Sequence, residues 1–119
     1  MINQLTSQRV EIHSRADKIR SIHKNVEEIM IKLGGKVVNS SYILLDGAAR
    51  EAYGYYKFPK VGAVMTSLTL SEDLRCNFSV KFLGFENERN KFNKIKAHIE
   101  EALKKSGLNR TEKKWKTNI

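Results

Sequence analysis

Apolar residues recur along this chain with two different periods, and the changes of period mark its elements. Between Ser14 and Leu33, Ile19, Ile22, Val26, Ile29, Met30 and Leu33 fall at helical spacing and leave mixed charge on the other side, which predicts an amphipathic helix. Ser14 and Asp17 have the spacing of a capping box, with an acid in the partner position, and Gly34 and Gly35 supply a left-handed stop. The preceding residues 7–13 read as either a further helical turn or a short strand. Helix is favoured because Ile12 continues the seven-residue spacing of Ile19, Val26 and Leu33. A coiled coil is disfavoured, because Arg15 stands where a second apolar seam would need a hydrophobic residue.

From Lys36 to Phe85 the period drops to two, and turn-forming residues interrupt it at 46–50, 59–62 and 71–75. Four strands in a meander follow. Cys76, Phe78, Val80 and Phe82 alternate with Asn77, Ser79 and Lys81, while Val64, Leu68 and Leu70 share a parity with Thr66. After Gly84, Phe92, Ile95, Ile99, Ala102 and Leu103 mark a second helix ending at Ser106 and Gly107. Glu100 with Lys104 and Glu101 with Lys105 form favourable pairs on its solvent side. The fold class predicted is α+β: a two-layer, four-stranded antiparallel meander with one N-terminal and one C-terminal helix on the same face, in the order αββββα. Residues 1–106 are expected to form one domain, and residues 107–119, which lack an apolar period, a mobile basic tail.

This arrangement gives the sheet two unlike faces, and the stretch EAYGYYKFPK at 51–60 lies on both. Strand alternation sends Ala52, Gly54, Tyr56 and Phe58 towards the helices and Tyr53, Tyr55 and Lys57 to the open side. There they join Met65, Ser67, Thr69, Arg75, Asn77, Ser79 and Lys81. Rings surrounded by cations and hydroxyls suit single-stranded nucleic acid, whose bases stack on aromatics while its phosphates meet lysines. The same tyrosines also serve in a sheet that binds nothing, packing across the ladder with their hydroxyls wet, or in an interface with a partner protein.

Charge sharpens this choice without closing it. The chain carries a net charge of +9, which attracts phosphate polyanions and acidic protein surfaces alike. Residues 86–119 hold ten Lys or Arg against five acids, so the basic character gathers towards the C-terminus. Lys91, Lys94 and Lys105 are candidates for a basic stripe on the second helix, and Arg110, Lys113, Lys114, Trp115 and Lys116 for contacts from the tail. Glycine spacing around Lys36 is not that of a phosphate loop. His13, His23 and His98 lack metal-ligand spacing and read as surface or boundary residues. Cys76 shares the parity of Phe78 and Val80 and reads as a small core residue. No catalytic set, metal or cofactor is therefore expected.

The function expected is that of a small, basic, non-enzymatic nucleic-acid-binding protein, with single strands favoured as partner. The alternative is a protein-interaction module or inhibitor docking on an acidic or nucleic-acid-binding protein, and the third reading a binder of a small anionic nucleotide. A homodimer is a further partner reading. One cysteine, no signal-like start and no long apolar run point to the cytoplasm and to no membrane.

Overall fold

A computed structural model describes residues 2–71, 75–106 and 110–117, with side chains described for 15–71 and 75–106. It has the expected helix, four-strand antiparallel meander and helix, with one strand added: α1 (Ile2–Lys32), β1 (Lys36–Leu45), β2 (Ala48–Phe58), β3 (Gly62–Leu70), β4 (Arg75–Leu83), α2 (Arg89–Lys104) and β5 (Arg110–Thr117). The strands lie in chain order in one sheet, the first four antiparallel and β5 parallel to β4.

Two sequence expectations are corrected. The first helix begins at Ile2 rather than Ser14, so Ser14 lies within the helix and is not its cap. No Pro or Gly stands between Met1 and Gly34 to break the run, and residues 7–13 are helix. The second correction concerns the tail, which contributes β5 instead of hanging free. Once α2 has crossed the sheet, the chain returns beside the open edge of β4 in the same direction, and backbone pairing there does not require an apolar period.

The helix stop falls as the glycines predict. Gly34 has φ +100°, its amide bonds the Ile31 carbonyl at 3.1 Å, and the Gly35 amide bonds that of Met30 at 2.8 Å, the pattern of a Schellman motif. Asp46 and Gly47 both have positive φ, at 52° and 79°, which makes the β1–β2 connection a two-residue hairpin turn of the kind that matches strand twist.

Both helices cover one sheet face. Ala16, Ile19, Ile22, Val26 and Met30 of α1 and Ile95, Ile99 and Leu103 of α2 are buried with Tyr56, Phe58, Val64, Leu68, Phe78, Val80 and Phe82 of the sheet. Phe85 and Phe92 complete an edge-to-face aromatic group around Phe82, with centroids 5.2 and 4.6 Å away. Alternation in β2 to β4 is as read: the set beginning with Ala52 is buried, and the set beginning with Tyr53 faces outward.

Candidate nucleic-acid interface

The open face is built by strand register. Tyr55 stands opposite Asn39 of β1 and Met65 of β3, and Met65 stands opposite Lys81 of β4. The neighbouring row runs Ser41, Tyr53, Ser67, Ser79. Lys36 and Lys57 pair at the end of the sheet nearer Tyr55, and Arg75 lies on β4 towards the other end. Tyr53 and Tyr55 sit two residues apart on one strand, so their rings rise about 7 Å apart, and Lys81 lies two strands from Tyr55, about 10 Å across the sheet. Tyr53 is 37% exposed and Met65 42%; Tyr55 is half-buried between its neighbours, and Lys57, Arg75 and Lys81 are exposed.

Why the rings are held there follows from Gly54 between them. The side chain of Tyr56, fully buried, lies back along β2 over Gly54, where any β-carbon would meet its ring and hydroxyl. Glycine thus lets the covered face take a whole phenol while Tyr53 and Tyr55 stay on the other side. The Tyr56 and Thr66 hydroxyls are both buried without a partner in hydrogen-bond geometry, although Thr66 is near enough to favour the phenolate slightly. Burial dominates and pushes the Tyr56 phenol well above its ordinary range.

Two features of this face escape a reading of the sequence. Glu51 accepts a hydrogen bond from the Tyr53 hydroxyl at 2.5 Å, which raises the phenol's pKa and sets one acid among the cations. Lys36, which lies opposite Lys57, is the second and has no signature before register is known, whereas Glu51 shares the parity of Tyr53 and only its bond to the phenol does not show in the sequence.

The remaining predicted residues do not gather here. Lys91, Lys94 and Lys105 are on α2 and its C-terminal cap, on the covered side of the sheet. The Lys91 ammonium stands over the Phe58 ring, 5.5 Å from its centroid, and Lys105 bonds Glu101 at 2.9 Å. A sheet and a helix layer separate these cations from the tyrosines, so no single flat ligand contacts both sets. Along β5, Arg110, Lys114 and Lys116 are in register with Arg75, Ser79 and Lys81 of the open face. Lys113 and Trp115 are in register with Phe78 and Val80 of the covered one. The expected partnership of Trp115 with Tyr53 and Tyr55 is therefore not one the register brings about.

His23 differs from its expected boundary position. It is buried between α1 and β1, with Nε2 and the Ser40 hydroxyl 2.8 Å apart and its ring edge-on to Tyr42 at 5.2 Å; Arg20 lies over the same tyrosine, 5.0 Å from its centroid. Burial lowers the His23 pKa, partly opposed by Glu27. Cys76 is buried, and its thiol is pushed up to about 12 by that burial.

Between the helices runs a groove of about 590 Å³, walled by Lys18, Glu28, Lys32, His98, Glu101 and Lys105 among others. Its charges alternate in sign and offer no convergent set for one ligand. Among the described residues no group of His, Cys, Asp or Glu could hold a metal ion, and no helix is long and apolar enough to cross a membrane. Compared with protein-family models, curated proteins and solved structures, the chain matches none.

Proposed function

We propose that this protein binds single-stranded nucleic acid on the open face of its sheet. The observation that carries this reading is the pair Tyr53 and Tyr55, outward on one strand and bordered by Lys36, Lys57 and Lys81, with Arg75 farther along β4 on the same face. Bases stack on the two rings and the backbone runs along the cations, a mode that tolerates sequence because every base has a π-face. The ladder holds both rings in place before binding, so little ordering cost is added.

The test is a titration of labelled single- and double-stranded DNA and RNA at two salt concentrations. Single strands bind more tightly, affinity falls steeply with salt, and Tyr53→Ala and Tyr55→Ala each weaken binding by about 5- to 150-fold, the range of one stacked base. Absence of binding at low salt, or alanine variants that bind as the parent does, overturns the reading.

Docking on an acidic protein surface is the second reading, and Met65 favours it. An exposed thioether between Tyr55 and Lys81 suits an adaptable protein contact better than a phosphate or a base. Recovery of a stoichiometric protein partner after nuclease treatment, lost on Met65→Lys, would favour this reading over the first.

A further inference from the structure

A cavity of about 200 Å³ opens beside the β1–β2 turn, between α1 and the covered face of the sheet. Its floor is apolar: Ile19 of α1, Ala48 and Ala49 of β2 and Leu70 of β3 line it and are all buried. Leu45, half exposed, lines it as well. Among the described residues the charged side chains at this cavity are two arginines, Arg15 and Arg50, and no acid. Unlike the groove between the helices, it carries one sign of charge.

Both arginines depart from the pattern of the element that holds them. Arg15 lies one turn before Ile19 on α1 and is half-buried, at the position where the helix would otherwise continue an apolar seam. Arg50 shares the parity of Ala52, which belongs to the covered face, and the pairing of β1 with β2 skips it. Ile43 lies opposite Glu51 and Leu44 opposite Ala49, so Arg50 is the extra residue of a β-bulge. Bulges re-aim the side chains they carry, and this one lines the cavity that Arg15 reaches from the helix. Among the described residues neither guanidinium has a hydrogen-bonded or ion-paired partner. The acids nearest in sequence, Asp17, Asp46 and Glu51, do not line the cavity, and Glu51 is bonded to the Tyr53 hydroxyl on the other face.

We propose that this cavity binds a small organic anion, a carboxylate or phosphate ester whose apolar body, the size of one aromatic ring, fills the floor while its charged head meets Arg15 and Arg50. An apolar cavity of about 150 Å³ is enough to hold benzene, so the space here takes a ring with part of its head group. Low-dielectric walls bearing one sign of charge concentrate the field on an anion, and guanidinium groups match carboxylate and phosphate oxygens with paired hydrogen bonds. Removal of the ring from water supplies the rest of the drive. A bare inorganic ion uses only the arginines and an uncharged ring only the floor. The site lies on the other side of the sheet from Tyr53 and Tyr55, so it does not rest on the nucleic-acid reading.

Titration of the protein, labelled on its Ala, Ile and Leu methyl groups, with benzoate and with phenyl phosphate tests this by NMR, which reads affinity and place together. Either ligand shifts the methyl signals of Ile19, Ala48, Ala49 and Leu70 and saturates at millimolar concentration or below; the tighter of the two identifies the head group. Benzamide and phenol, the uncharged counterparts, bind about tenfold or more weakly, and so do acetate and inorganic phosphate. Arg15→Gln and Arg50→Gln each weaken the tighter ligand by about 10- to 150-fold, the range of a hydrogen bond to a charged group. Circular dichroism confirms that both variants are folded. Failure of both ligands to saturate at millimolar concentration overturns the proposal, and so do shifts spread over the surface instead of these methyls. Uncharged rings that bind as well as the anions, or binding that survives both arginine changes, also refute it.

Discussion

Replacing Gly54 with alanine is the smallest change that tests how β2 serves both faces of the sheet. The backbone φ at Gly54 is not in the left-handed region, so the penalty is purely steric. The added β-carbon would lie 2.6 and 2.7 Å from two ring carbons of Tyr56 and closer still to its hydroxyl oxygen. No real contact is that short, and Tyr56, with no exposed surface, has nowhere to retreat. Overpacking of this kind costs about 1–3 kcal/mol, and the smaller entropy of the unfolded alanine chain returns about 0.4–1 kcal/mol. The net loss is about 1–2 kcal/mol, a fall in Tm of about 5–10 °C for a domain of this size. Urea and thermal unfolding measure it, and two second-site backgrounds identify the obstruction. In Tyr56→Phe the ring carbons remain, so Gly54→Ala stays costly; in Tyr56→Leu the ring is gone, and the alanine becomes neutral or mildly stabilising. A Gly54→Ala chain as stable as the parent, or an equal cost in both backgrounds, would refute the account of the phenol lying over the glycine.

Two further predictions concern buried titratable groups. Because burial holds the folded pKa of His23 below the unfolded value of about 6.5, the unfolded chain binds the proton first. The contribution of His23 to stability is therefore complete above that pH and declines as pH falls below it towards the folded pKa. His23→Gln should flatten the unfolding free energy between pH 7 and 5 relative to the parent, and an unchanged slope would remove His23 as its source. For Cys76, a thiol moved from 9.0 to about 12 has about a thousandfold less thiolate at neutral pH. Reaction with a disulfide reagent should be that much slower in the native chain than in urea, and rapid native labelling would contradict the burial of Cys76 in the sheet core.

The sidedness of the sheet was legible because strand parity is a local property. Tyr53 and Tyr55 follow from two-residue alternation alone, as do Tyr56 and Phe58 on the other side, and the two apolar helix stripes say that only one face needs cover. What was not legible depended on distant partners. RTEKKWKT at 110–117 has no strand pattern of its own and becomes β5 by lying along β4 after the α2 crossover. His23 has a polar label, and its burial is decided by Ser40 and Tyr42, which reach it only once β1 has paired with β2. The early start of α1 was obscured by Ser14, whose capping preference is a fraction of what an unbroken helix without proline or glycine retains.

The fold also divides the charge in a way that composition hides. The cations nearest the tyrosines in the register, Lys36, Lys57 and Lys81, come from the meander, a region whose net charge is small, whereas α2 carries its lysines on the far layer. At physiological ionic strength the screening length is about 8 Å, less than the thickness of a sheet with a helix packed on it. On the nucleic-acid reading, Lys94 therefore contributes to long-range attraction at low salt but not to the contact itself. Lys94→Gln should leave the slope of affinity against salt close to the parental value, whereas Lys57→Gln with Lys81→Gln should reduce it by about two counterions. Equal effects of the two changes would mean that the ligand follows the whole basic surface, and the tyrosine face would lose its claim to be the site.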